Sequence, residues 1–140
     1  MFDWKDSFSV NVDQIDKQHQ KLFELGNKIY ELVCLGDYYD HYDEIVTILR
    51  ELKEYTIYHF AKEEALLKKY NYDEDDFIKH KEEHTYFIEK ISEINIYDAD
   101  EDQSQFLNDT LAFVAEWITS HILFTDKKYS SFLSANISNS

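Results

Sequence analysis

Apolar positions along the chain recur every three or four residues, the spacing that lines one face of a helix. The first stripe reads His19, Leu22, Phe23, Gly26, Tyr30 and Val33. Asp16 can cap its start, and Gly36-Asp37 ends it after about Leu35. A second stripe, from about residue 40 to 70, carries Ile45, Leu49, Leu52, Thr56, His59, Glu63 and Leu67 before a turn at Asn71. A third, over about 73–95 and opened by Asp73, carries Phe77, His80, His84, Phe87 and Ile91. The acidic link DADEDQS leads to a fourth over about 103–125, with Leu107, Leu111, Val114, Trp117 and His121. Four amphipathic helices with short connections predict an all-α domain, an antiparallel up-down four-helix bundle. An extended N-terminal arm over 1–15 precedes it, and a small polar tail over 130–140 is expected to fray.

Composition agrees with helices and narrows the partners. Proline is absent and glycine occurs twice, so strand-and-turn architectures lack their usual turn residues. A hydrophobic content of 44% over 140 residues supports one domain with a true core. The formal charge of −15 argues against nucleic acid and against an anionic membrane surface. The opening MFDWKDSF has no signal-peptide pattern and no apolar run spans a bilayer, so a cytoplasmic location is expected. The single Cys34 is expected to pack as a small buried hydrophobe, and His41, among acidic residues, to lie on the surface.

The stripes contain chemistry that a core does not need. Five histidines (His19, His59, His80, His84 and His121) fall on inner faces, at least one on every helix. Each buried imidazole needs a polar partner, and a shared metal centre supplies one for all of them. His80 and His84 stand four residues apart, as do His59 and Glu63, so each pair reaches one point from one helix. Glu64 points about 100° away from Glu63. Asp126 follows His121 by five residues, about 140° round an ideal helix, so the two converge only if the helix end is distorted.

Imidazole donors suit iron, copper, nickel or zinc. Structural zinc prefers four ligands with cysteine among them. The zinc-protease motif HExxH fails because Lys81 stands at its glutamate position in HKEEH. Residues three before the histidines are Asp16, Thr56, Phe77, Lys81 and Ile118, so the Glu-x-x-His pairs of carboxylate-rich di-iron bundles are missing.

Over residues 2–129 the chain resembles the hemerythrins, specifically single-domain bacterial ones. The likeness runs through FDWKDSFSVNVDQIDKQHQKL, HFAKEE, HKEEH and EWITSHILFTDKKY. It implies two iron ions joined by an oxygen bridge inside the bundle. His80, His84 and His121 would hold one, His19 and His59 the other, and Glu63 and Asp126 would bridge both. Two six-coordinate irons offer about twelve positions, and this set with the bridge leaves one vacancy, on the two-histidine iron. The resemblance implies reversible dioxygen binding there, behind an apolar wall of Leu22, Phe60, Trp117, Ile118 and Ile122. That wall excludes water and acids, as reversibility requires. A non-enzymatic oxygen carrier, store or scavenger is thus expected. An oxygen or redox sensor, or a di-iron enzyme acting on peroxide or nitric oxide, is the alternative. No protein partner is indicated.

Overall fold

The computed structural model describes residues 1–36, 40–94, 98 and 102–138. Asp37 and residues 99–101 of the acidic link lie outside that set. The helices are α1 (Asp13–Leu35), α2 (Tyr42–Lys69), α3 (Glu74–Glu93) and α4 (Gln103–Ser120). A π turn, His121–Asp126, continues α4 into α5 (Lys127–Ser138). The first four form the expected up-down bundle, α1 packing on α2 and α4, and α2 on α3. α3 meets α4 through Phe87, whose ring lies 5.6 Å from Phe113 and 4.5 Å from Trp117. Among the described residues no helix is long and apolar enough to cross a membrane.

Local chemistry sets the helix ends. Asp73 caps α3 by accepting the Asp76 N–H at 3.0 Å. Asn71, at φ 59°, makes the turn before it, and Gly36, at φ 71°, closes α1. α1, however, begins three residues before Asp16, and Asp16 has another task. Its carboxylate accepts the Ser9 hydroxyl at 2.6 Å and the Val10 N–H at 2.8 Å, tying the arm to the first turn. The arm is further anchored by Phe2, Trp4 and Phe8, whose rings lie 5.0–5.7 Å from Phe23. Phe2 fills the notch left by Gly26, where an added Cβ would lie 2.6 Å from its ring.

Four expectations need correction. The tail does not fray: α5 covers most of it and buries Tyr129, Ser130 and Leu133, because its apolar positions continue the helical spacing. Tyr30 is 38% exposed, since Ile29 and Leu32 carry the α1 stripe inward instead. Cys34 is exposed on the flank this leaves. His41 is buried at the start of α2, where its backbone N–H donates to Gln103 Oε1 at 3.2 Å and its ring lies 3.4 Å from Glu44.

Two apolar clusters fill the interior. One runs along the bundle from Phe2 and Leu22 to Leu107 and Ile122. The other joins the arm to α5 through Val10, Val12, Ile15, Leu67, Tyr129 and Leu133. Along α1, His19 falls between Ile15 of one and Leu22 of the other. Along α2, Glu63 falls between Phe60 and Leu67 in the same way. The polar centre is therefore sealed by apolar residues at both ends.

Candidate metal centre

All seven sequence-predicted ligands converge, each 4% exposed or less. Their donor atoms form two groups, Glu63–His80–His84–His121–Asp126 and His19–His59–Glu63–Asp126, each with its atoms within 4.8 Å of one another. Glu63 and Asp126 belong to both. Glu63 turns Oε1 toward His80 (2.6 Å) and His84 (3.0 Å), and Oε2 toward His59 (3.5 Å) and His19 (3.7 Å). Asp126 divides likewise, Oδ1 lying 3.1 Å from His80 and 3.0 Å from His121, and Oδ2 3.1 Å from His19.

Asp126 reaches the centre because of the π turn. In an α-helix a residue five on stands about 140° away, whereas the i→i+5 bonding of a π turn brings it back over the first. The distortion that the His121–Asp126 spacing demanded is present over those six residues.

Outward-facing nitrogens are held by residues that the helical stripes did not single out. His59 Nδ1 meets Gln18 Oε1 at 2.7 Å, His84 Nδ1 meets Glu64 at 2.8 Å, and His121 Nδ1 meets Glu83 at 2.9 Å. The carboxylates of Glu64 and Glu83 can only accept, and Gln18 accepts through its Oε1, so each Nδ1 donates its proton and Nε2 is the nitrogen turned inward, a lone pair whenever the ring is neutral. The Tyr129 hydroxyl donates to Glu63 Oε2 at 2.8 Å from inside the apolar cluster. Gln18 and Glu83 each stand next to an expected ligand, at 19 and 84, the only sequence signal they give. Tyr129 would have been found by carrying the stripe from Asp126 through Leu133.

The arrangement asks for cations. His84 Nε2 and His121 Nε2 approach to 3.1 Å, two lone pairs facing each other unless a positive charge lies between them. Neither His19 nitrogen and neither Asp126 oxygen makes an aligned hydrogen bond, although all are buried. Without metal, protons must supply that charge. Burial opposes charging His19, His80 and His121, but their bonds and attractions to Asp126 and Glu63 (with Glu83 for His121) prevail and raise them to about 9, 10 and 9. Burial likewise opposes ionising Glu63 and Asp126, and the facing histidines nonetheless hold both well below the usual carboxylate range. His59, with burial dominant, is pushed down to about 3 and stays neutral. Five imidazoles and two carboxylates, split so that each carboxylate faces both groups, fit bound metal cations, iron among those that imidazole suits.

Of the five expected wall residues, two stack on histidines of this centre. Phe60 stacks on His84 at 3.8 Å and lies 5.6 Å from His59, so it touches both groups. Trp117 stacks on His121 at 4.4 Å, which places it on the three-histidine side. Leu22, Ile118 and Ile122 are buried in the same apolar cluster.

Comparison with known proteins agrees with this architecture. The family model described as the hemerythrin HHE cation binding domain matches residues 10–133. A bacteriohemerythrin of Clostridium acetobutylicum is 45% identical over 129 residues, covering 92% of this chain and 98% of that protein. One from Methylococcus capsulatus is 33% identical, with 91% and 92% covered. A hemerythrin-like protein of Naegleria gruberi is 30% identical, with 94% and 93% covered. The crystal structure of a wild-type hemerythrin superposes with a TM-score of 0.74 at 29% identity, covering 94% of this chain and 97% of that one. The chain belongs to the hemerythrin family.

Proposed function

We propose that this chain is a reversible, non-enzymatic dioxygen-binding protein of the cytoplasm, for oxygen storage, delivery or scavenging. His80, His84 and His121 would hold one iron and His19 and His59 the other, with Glu63 and Asp126 shared between the two groups. The observation that carries this reading is the unequal division of donors around two shared carboxylates, five residues in one group and four in the other. An iron pair, when bound, supplies the electrons exchanged with dioxygen.

The chain's own residues do the rest. Gln18 fixes the His59 tautomer, and burial keeps that ring neutral, so its Nε2 stays available as a donor. Leu22, Phe60, Ile118 and Ile122, all buried in one apolar cluster, exclude water, and Trp117 covers His121. The nearest hydroxyl, Tyr129, is not a proton source: burial and the Glu63 charge hold it well above its ordinary range, and its proton is committed to Glu63. A site without an available acid favours release of dioxygen over turnover, which separates this reading from a peroxidase or reductase.

Cycling the reduced, iron-loaded protein between air and argon should give a visible absorption change that reverses over repeated cycles. Immediate one-way oxidation on the first exposure to air would overturn the proposal.

A further inference from the structure

Glu83 is not among the donors of either group, yet it touches two residues of the π turn at once. From α3, its Oε1 accepts His121 Nδ1 at 2.9 Å and the Thr125 hydroxyl at 2.7 Å, with Oε2 3.0 Å from the same hydroxyl. The side chain is 42% exposed, so it grips the turn from the flank.

The turn has two registers to choose between. In an α-helix the residue four on, Thr125, would stack over His121, and Asp126 would rotate about 140° away. In the π register Asp126 takes the inward place and Thr125 moves to the flank. There its hydroxyl meets the carboxylate that already holds the His121 ring. π-helical turns are rare, and a single outside group bound to the first residue of this one and to Thr125 near its end gives a reason for it.

We propose that Glu83 is a positioning residue that, by holding His121 and Thr125 together, selects the π register and so turns Asp126 into the centre. Its effect on iron rests on the ligand assignment above. Its effect on the turn does not. Glu64 is the natural control, because it holds a ligand nitrogen, that of His84, without touching the turn.

The test compares E83A, T125V, T125S and E64Q with the parent chain in two measurements. The first is amide hydrogen exchange across 121–127 in metal-free protein, and the second is anaerobic titration with Fe(II). Positioning predicts that E83A and T125V each speed exchange in that segment while exchange in the other helices stays as it was. Each should also weaken Fe(II) binding on the order of 10-fold, the usual cost of losing an outer partner. T125S, which keeps the hydroxyl, should behave like the parent. E83A/T125V should be no worse than E83A, because both break the same contact. E64Q should weaken Fe(II) without altering exchange at the turn.

T125V indistinguishable from the parent in both measurements would overturn the proposal, since Glu83 would then act on the His121 ring alone. Should E83A fail to fold, T125V and its T125S rescue still decide. A parent chain that takes up no Fe(II) would sink the ligand assignment, while the exchange result would still judge the turn.

Discussion

Glu63 and Glu64 are adjacent and chemically identical, and a rotation of about 100° round the helix separates their roles. Glu63 is fully buried and faces four histidines, whereas Glu64 is 22% exposed and meets only the outer nitrogen of His84. Glu63→Ala removes the only group besides Asp126 that both donor sets share. Metal analysis should find its iron falling from about two per chain to below one, whereas Glu64→Ala keeps about two at saturating iron with affinity lowered on the order of 10-fold. Equal loss in both would mean that burial and phase do not decide the ligand. Tyr129→Phe probes the same carboxylate from outside. It removes one buried hydrogen bond without changing shape, so chemical denaturation should register a loss of about 1–2 kcal/mol, with the chain still folded. The convergence of His59 with Glu63 and of His80 with His84 follows from their four-residue spacing, and His19 from its place on the α1 stripe. Asp126 needed a distortion that spacing could demand but not supply, and Glu83 and Gln18 gave no periodic signal because they point across the stripe.

At the scale of elements, stripes decided the bundle well and its margins poorly. The four main helices are long enough for periodicity to dominate, while the arm and α5 are held by contacts between parts distant in sequence. Ser130 donates to the Val10 carbonyl at 2.7 Å and Asp16 binds Ser9 and Val10, so arm, α1 and α5 close one end of the bundle together. None of those bonds has a local signature, which is why the tail read as loose and Asp16 as a cap. The other end of the arm depends on Gly26. Phe2 occupies the space a side chain there would need, and two bonds with Asn27, at 2.9 and 3.0 Å, prevent the backbone from simply backing away. Gly26→Ala should therefore cost stability despite alanine's better helix propensity, by about 1–3 kcal/mol as for other overpacked cores. If the clash with the Phe2 ring is the cause, Phe2→Ala/Gly26→Ala should be clearly less destabilised than the two single losses added together. Thermal or urea unfolding of the four proteins distinguishes this from a general dislike of alanine at that position.

For the whole molecule, the buried centre makes stability depend on pH in a way that metal should abolish. In the metal-free chain His19, His80 and His121 sit at about 9, 10 and 9, against about 6.5 when unfolded. Groups raised by folding bind protons more tightly in the native state. Their contribution is complete below about pH 6.5 and is lost as pH climbs through 9 to 10. His59 works in the opposite sense: lowered to about 3, it disfavours the native state as pH falls below about 6.5, where the unfolded ring takes a proton. Glu63 and Asp126, held low, add stability above the ordinary carboxylate range and lose it on further acidification. The metal-free chain should accordingly be most stable near pH 6–7, with its urea midpoint falling toward pH 10. Under the proposed assignment iron would occupy the nitrogens that those protons otherwise hold, so the loaded chain should keep a nearly constant midpoint from pH 7 to about 9. Loading near pH 7 should also release at least three protons, one from each raised histidine besides any from water bound with the metal, measurable with a pH indicator in weak buffer. The net charge of −15 disfavours compaction increasingly at high pH, but it acts on both forms, so the difference between them isolates the centre. A metal-free midpoint that is flat or rising from pH 6.5 to 10 would show that the facing carboxylates do not hold protons on those three rings, and the charge balance that invites the metals would have to be redrawn.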